Sequence, residues 1–180
     1  QYQELMKLTK IPLQYSTIGL RNWRAVKEAG IGMAMSPGNM HQAVNMDFPT
    51  SMGGYEYTNS PNDPCILHMR CCLQGDTHGA PAIQQFKEAR YRMLAKKFSD
   101  YEAEIREHLT GMLPKNYFNF DRDVASITVN RWAHGYSYGK VSEIGIIPFG
   151  KIAIANSDAS GSSLMNRAIE EAWRAVRELS

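Results

Sequence analysis

Residues 148–180 constrain the fold of this chain most, because they combine a strand pattern, a turn of small residues and a strongly amphipathic helix pattern. Residues 151–155 are apolar enough to predict a buried strand. The small polar residues that follow, from Asn156 to Ser163, predict a turn. Beyond the turn, apolar side chains recur every three or four residues, which predicts a helix with one apolar face. The apolar positions are Met165, Ala168, Ile169, Ala172, Trp173, Val176 and Leu179.

The other face of this predicted helix is polar and carries charges at a stabilising spacing. Arg174 lies four residues from both Glu170 and Glu178, so it can pair with either carboxylate. Ser162 or Ser163 is suited to cap the start of the helix. A turn that leads into a helix start aims free backbone N–H groups at one point, which favours an anion or a polarised carbonyl. The alternative is an ordinary strand–turn–helix unit whose small residues only permit close packing.

The rest of the chain predicts a mixed fold of the α/β or α+β type. Strands are expected at residues 11–20, 41–48, 64–74 and 124–132, and two helices between residues 81 and 113. A net charge of +2 without a run of Lys and Arg argues against nucleic-acid binding. There is no apolar run long enough to span a bilayer. We therefore expect a soluble protein, cytoplasmic or periplasmic.

The cysteines, and the serines of the C-terminal turn, do not form a recognisable catalytic or metal-binding motif. Cys65, Cys71 and Cys72 lack the spacing and the histidine partners of a metal site, and we expect buried thiols. The turn serines, which do not lie in a G-x-S-x-G motif, are Ser157, Ser160, Ser162 and Ser163. The sequence therefore predicts no metal site, and it does not identify a catalytic residue.

Residues 130–138 are the second informative stretch, because a strand pattern there runs into a glycine-containing segment rich in rings. The candidate binding side chains are Trp132, His134, Tyr136 and Tyr138. Aromatic faces of this kind can hold a cation or stack on a planar ring. The alternative is a strand end whose aromatic side chains cover the core.

Two of these stretches resemble a known family. Residues 155–176 resemble the C-terminal flavin-binding segment of FAD-dependent amine oxidases, most closely the spermidine-dehydrogenase-like branch, and residues 127–138 resemble the segment that precedes it. Residues 18–32 and 44–57 resemble the substrate domain more weakly. The resemblance implies a substrate domain with a mixed sheet and helices over residues 1–131. Residues 132–180 would then supply the closing strand and helix of the FAD-binding domain.

The resemblance also assigns roles to particular residues. Asp158, with Asn156 and Ser157 beside it, would lie near the ribityl-phosphate part of FAD. The start of the next helix would meet the pyrimidine edge of the flavin, where a helix N-terminus can stabilise negative charge. That start comprises Leu164, Met165 and Asn166. The aromatic residues at 132–138 would line the substrate cage.

One expected motif is missing: the chain has no G-x-G-x-x-G, which in this family opens the fold that binds the ADP half of FAD. We therefore expect a second polypeptide to supply that fold, so that the chain forms part of a hetero-oligomeric oxidoreductase acting on an amine C–N bond. Residues 155–165 contain no Cys or His, which argues against covalent flavin attachment. The alternative is a non-catalytic subunit that keeps the fold and stabilises a partner.

Overall fold

The computed structural model describes residues 2–139 and 146–180. The chain divides into two compact units, each assembled from separate parts of the sequence. Unit 1 comprises Gln1–Leu13, Leu73–Tyr91 and Ala133–Ser180. Unit 2 comprises Gln14–Cys72 and Arg92–Trp132. The chain leaves unit 2 after Trp132, close to the expected boundary at 131/132, and the division into a substrate domain and a flavin-binding segment stays a prediction.

The strands belong to one sheet. They are β1 (Thr9–Leu20), β2 (Met33–Met35), β3 (Ala43–Met46), β4 (Cys65–Cys72) and β5 (Val124–Tyr138). Their order is β2-β3-β4-β1-β5. The sheet is antiparallel, which corrects the mixed sheet that the resemblance implies. A short connection such as residues 36–42 can join only antiparallel neighbours, because a parallel pair needs a long crossover.

Helices flank these strands in an α+β arrangement. In the described residues they are α1 (Tyr2–Leu5), α2 (Arg24–Glu28), α3 (Ala82–Ala95), α4 (Phe98–Met112), α5 (Phe120–Asp123) and α6 (Met165–Leu179). The two helices expected between residues 81 and 113 and the helix expected from Met165 are confirmed. No helix in the described ranges is both long and apolar enough to span a membrane.

The core of unit 2 follows from alternation along the strands and from one face of α4. Ile18 of β1 and Met69 of β4 are fully buried. Ile105 and Leu109, four residues apart on α4, are buried in the same cluster. Side chains at this spacing lie on one face of a helix. The hydrophobic pattern of α4 is therefore satisfied within unit 2.

In unit 1, packing depends on close approach between strand ends and on α3. Phe86 and Ala89 of α3 are buried. A Cβ added to Gly135 of β5 would lie 2.7 Å from the Cβ of Leu13 in β1. Real Cβ atoms do not approach so closely, so glycine is required where these two strand ends meet.

The strand expected at residues 151–155 is wrong. Its place is taken by an isolated antiparallel bridge between Phe149 and Ile152, followed by irregular backbone. The exposed fractions of Phe149 and Ile152 are 72% and 67%. A strand forms only where a neighbouring strand pairs with its backbone groups. Among the described residues, this segment has no such neighbour beyond the bridge.

Candidate functional site

The C-terminal half of β5 presents a row of exposed side chains, which we call the aromatic row: Trp132, His134, Tyr136 and Tyr138. They share one face because alternate residues of a strand point to opposite sides. Trp132 is 58% exposed, Tyr136 41% and Tyr138 52%. The half-buried residues between them are Ala133, Gly135 and Ser137. This exposure is compatible with the expected binding wall, and both that expectation and the alternative of rings that cover the core stay open.

Helix α3 supports the end of the aromatic row. Trp132 is the last residue of unit 2, and the three later members of the row belong to unit 1. The ring of Tyr138 meets the ring of Phe86 edge to face, with centroids 5.1 Å apart and an interplanar angle of 75°. Arg90 Nη1 donates a hydrogen bond of 2.8 Å to the carbonyl oxygen of Ala133. These contacts fix the backbone and the last ring of the row within unit 1.

A cluster of charged and hydroxyl groups joins β5 to the turn that follows residue 155. Lys10 Nζ donates to both carboxylate oxygens of Asp158, at 2.7 and 2.8 Å. Ser137 Oγ donates to Asp158 Oδ1 at 2.8 Å. Ser163 Oγ accepts a hydrogen bond of 2.8 Å from the backbone N–H of Ser137. We call Lys10, Ser137, Asp158 and Ser163 the turn cluster, and all four residues belong to unit 1.

Hydrogen bonds within residues 156–161 stabilise the turn that carries Asp158. Ser157–Ser160 form one turn of 3₁₀ helix, and the side chain of Asn156 accepts a 3.3 Å hydrogen bond from the N–H of Ala159. Gly161 then adopts a left-handed conformation with φ of 71°, which side chains disfavour. Its N–H donates to the carbonyl oxygen of Asp158 at 3.0 Å. The local sequence therefore holds Asp158 in one orientation.

The electrostatics of the turn cluster keep Asp158 ionised. Burial raises the pKa of the Asp158 carboxyl, but hydrogen bonds from Lys10 and Ser137 and the charge of Lys10 outweigh burial, so the pKa lies below its ordinary value. The Lys10 and Asp158 side chains are 22% and 23% exposed, so water screens the pair only in part. The two charges compensate each other, and the hydroxyls of Ser137 and Ser163 are hydrogen-bonded within the turn cluster.

The start of α6 lies open. Leu164 is the N-cap residue, and its side chain makes no capping hydrogen bond. Ser162 or Ser163 was expected in that role, and this expectation is wrong because the Ser163 hydroxyl binds the N–H of Ser137 instead. Leu164 is 56% exposed and Met165 82%, and Asn166 is exposed as well. The first N–H groups of α6 therefore have no side-chain cap, a condition that favours an anion or a polarised oxygen there.

The structure brings most of the expected site residues into one unit. Asn156, Ser157 and Asp158 share one turn, and Leu164, Met165 and Asn166 begin the helix that follows in unit 1. Ser137 lies between Tyr136 and Tyr138 in the sequence, and its hydroxyl donates a hydrogen bond directly to Asp158. Trp132 lies in unit 2 and is not part of this arrangement.

Three residues of the turn cluster escaped the sequence analysis. Lys10 is separated from Asp158 by 148 positions, and no spacing rule links them. Ser137 lay inside the aromatic stretch but its hydroxyl was not singled out, and Ser163 was assigned to the wrong partner. Alternation along β5 could have found Ser137, because it places that residue on the face opposite the rings. Ser137 is also the central serine of a G-x-S-x-G pattern at residues 135–139, although it lies inside β5 and not at the strand-to-helix turn that a nucleophilic serine of this motif occupies.

The donor set indicates the chemistry that the site can support. Lysine, hydroxyl and open helix N–H groups bind oxygen atoms that carry negative charge, and exposed rings bind planar or cationic groups. In the described ranges, no group of three or more His, Cys, Asp or Glu side chains is placed to hold a metal ion. Comparison with protein-family models and with characterised proteins finds no match to this chain.

Proposed function

We propose that this chain is the substrate-domain and flavin-closing part of an FAD-dependent oxidoreductase similar to spermidine dehydrogenase, and that it acts on an amine C–N bond. The observation that carries the proposal is the 2.8 Å hydrogen bond from Ser137 to Asp158. It joins the two stretches, 127–138 and 155–176, that separately resemble flavin-contacting segments of that family. Segments that serve one cofactor should meet, and these two do so within unit 1.

The residues present suit a flavin. The uncapped start of α6 offers N–H groups and a positive dipole end to the pyrimidine edge, while Leu164 and Met165 offer apolar surface to the ring. Lys10 suits the ribityl-phosphate part, because its ammonium group has three N–H donors and Asp158 accepts two of them. No glycine-rich dinucleotide motif occurs in the sequence, so the ADP half of FAD is assigned to a second polypeptide.

The exposed face of α6 supports the proposal that a second polypeptide binds this chain. Five large side chains of its apolar stripe are exposed by 47–82%: Met165, Ile169, Trp173, Val176 and Leu179. Leaving such a side chain in water forgoes about 1.5–3 kcal/mol of burial free energy. Contiguous exposed apolar surface of this kind marks an interaction site. Residues 153–155, which pair with no strand among the described residues, could likewise gain a strand neighbour from the partner.

Each part of the site then has a role in the reaction. When bound, the flavin would accept a hydride equivalent from the substrate carbon. The rings of Tyr136 and Tyr138 would hold the amine chain and exclude water from it. The turn cluster would keep the β5 end and the α6 start in register, which positions the substrate relative to the helix terminus.

A non-catalytic subunit is the competing function, and one observation favours it. The Lys10–Asp158 ion pair satisfies the Asp158 carboxylate without any cofactor. A subunit with a purely structural role would need nothing more from Asp158. Such a subunit would not require the open start of α6.

The test is a visible spectrum and an intact-mass profile of the chain purified natively with its companions. We expect flavin absorbance together with a second polypeptide that carries a glycine-rich dinucleotide motif. Met165→Trp should reduce the flavin content at least about tenfold, because a bulky side chain at the open helix start would block the ring. Glu170→Trp, on the exposed polar face of the same helix, is the matched control and should retain flavin.

Two results would contradict the proposal. One is a colourless, folded wild-type chain that gains no flavin when FAD is added to its native companions. The other is a Met165→Trp variant that keeps its flavin as fully as Glu170→Trp does, which would favour the non-catalytic subunit.

A further inference from the structure

Unit 2 contains a cavity of about 540 Å³ that lies outside the turn cluster and the aromatic row. The ends of β1 and β3, the following loop and the start of β4 surround it. Its apolar surface comes from residues such as Leu20, Pro64 and Ile66. The volume lies within the range of small-molecule sites, which is about 300–1,000 Å³. All of its lining residues belong to unit 2, so nothing in it depends on the flavin assignment.

The charge around this cavity has one sign. Asp47, Glu56 and Asp63 line it, and no Lys, Arg or His is among the described residues that do so. Asp63 is held in place by the N–H of Ser60, which donates to its Oδ2 at 3.0 Å. Asp47 Oδ2 lies 3.4 Å from the ring nitrogen Nε2 of His68, outside the cavity lining. The cavity therefore repels anions and attracts a cation.

Aromatic side chains complete the wall. Tyr55 and Tyr57 line the cavity, and the Tyr57 ring packs on Phe48 with centroids 5.8 Å apart. Burial raises the pKa of the Tyr57 hydroxyl, and Cys65, Asp47 and Tyr55 raise it further through their charges. Tyr57 and Asp47 both line the cavity. Aromatic faces attract organic ammonium groups, and carboxylates supply the opposite charge.

We propose that this cavity is a binding site for a primary alkylammonium ion. The ammonium head has three N–H donors, which suit the carboxylates and the tyrosine rings. The alkyl chain suits the apolar surface of Leu20, Pro64 and Ile66. A neutral alcohol would leave the carboxylates without a counter-charge, and a carboxylic acid anion would be repelled by them.

The experiment is a titration of the full, ¹⁵N-labelled chain with hexylammonium chloride, followed by nuclear magnetic resonance. The Trp23 indole N–H donates to Thr58 Oγ1 at 3.0 Å, and Thr58 lines the cavity, so the Trp23 indole signal reports on its occupancy. We expect a saturable shift of that signal with a midpoint of about 1 mM. The indole signals of Trp132 and Trp173, which do not line the cavity, should stay in place.

Ligand and variant controls isolate the charge. Hexan-1-ol, which has the same chain without the charge, should bind several-fold more weakly, and hexanoate should not bind. Asp47→Asn should weaken hexylammonium binding by about 3- to 10-fold and leave hexan-1-ol binding unchanged. Glu28→Gln, an exposed site on α2 that does not line the cavity, changes the net charge equally and should have no effect.

Three results would overturn the proposal. They are the absence of a Trp23 shift at about 10 mM hexylammonium, equal affinity for hexan-1-ol, and equal weakening by Asp47→Asn and Glu28→Gln. Equal affinity for the alcohol would mean that the cavity binds the alkyl chain and does not recognise the charge. Equal weakening by the two variants would mean that only the overall charge of the chain affects binding.

Discussion

At the scale of single residues, His41 and Asp158 are two polar groups whose pKa values the fold shifts from their ordinary values. His41 is 1% exposed, and its Nε2 lies 2.7 Å from Gln14 Nε2 and 2.9 Å from Ser16 Oγ. Burial, with smaller contributions from the nearby His108 and Lys96, lowers the pKa of His41 to about 4. His41 is therefore neutral in the folded chain near pH 7. In the other unit, Asp158 shows the opposite case of a charge that is buried in part and paired.

We expect acid to destabilise the fold through His41. Unfolded histidine takes up a proton near pH 6.5, whereas folded His41 does so near pH 4, so the unfolded chain binds more protons between these values. Stability should fall as the pH drops from about 6.5 to 4, by at most about 3 kcal/mol. Chemical denaturation at a series of pH values measures this fall.

The matched variants for this prediction are His41→Gln and His78→Gln. His41→Gln should flatten the decline between pH 6.5 and 4, even if it lowers stability at pH 7. His78 is exposed, so His78→Gln should leave the decline as it is. If His41→Gln and wild type lose the same free energy over this window, another group carries the acid response.

The Lys10–Asp158 pair should be worth more than a surface ion pair. A double-mutant cycle with Lys10→Met and Asp158→Asn should give a coupling free energy of about 1–2 kcal/mol, because the pair is partly buried and doubly hydrogen-bonded. The lowered pKa of Asp158 means that this contribution is present above the ordinary carboxyl pKa and is lost as the pH falls through the lowered one. Urea denaturation of the four proteins at pH 7 provides the measurement.

A second cycle on Arg167→Met and Glu170→Gln is the control for the pair. Those side chains are 49% and 54% exposed on α6, so their coupling should be about 0.3 kcal/mol. Equal coupling in the two cycles would mean that the turn cluster adds nothing to stability.

At the scale of elements, α6 is oriented with its polar side toward its own chain. Arg174 pairs with Glu171 at 2.7 Å and with Glu178 at 2.5 Å, and its Nη2 donates to the carbonyl oxygen of Ile154 at 2.7 Å. The one residue of the helix that is buried is Ala175. The apolar stripe faces outward, the reverse of a helix that packs on its own core. The element was predictable from its period, whereas the side that it buries was not.

We expect charges on this stripe to abolish assembly without unfolding the chain. Ile169→Glu and Trp173→Glu replace side chains that are 64% and 62% exposed, so the melting temperature of the isolated chain should change by no more than about 3 °C. The same variants should lose the second polypeptide in native purification, because a charge would be buried against an apolar partner. Intact mass spectrometry of the purified complex distinguishes the outcomes.

The control for the stripe is Arg167→Glu, which places the same charge on the polar face of α6. It should keep the companion. Retention of the companion by both stripe variants would show that the stripe is not the contact surface. Unfolding of the isolated variants would show instead that the stripe packs within its own chain.

At the scale of the whole molecule, each unit gathers residues that lie far apart in the sequence. Unit 1 takes Lys10 from near one end of the chain, Phe86 from α3 and Asp158 from near the other end. Unit 2 buries Gln14, Ser16 and His41 together, although 27 positions separate Gln14 from His41. The candidate site depends on long-range pairing of this kind, which local sequence patterns do not reveal.

The sequence by itself determined the periodic helices and most strands, because period and alternation are properties of the local backbone. It also determined the turn around Asp158, where a glycine with positive φ was needed at Gly161. Only the tertiary structure decided that Lys10 neutralises Asp158, that Ser163 binds Ser137 and leaves Leu164 as the cap, and that residues 151–155 form no strand. Each of these depends on which groups meet across the fold. Hydrogen bonds and ion pairs go to whichever partner folding brings near, and local sequence does not encode that choice.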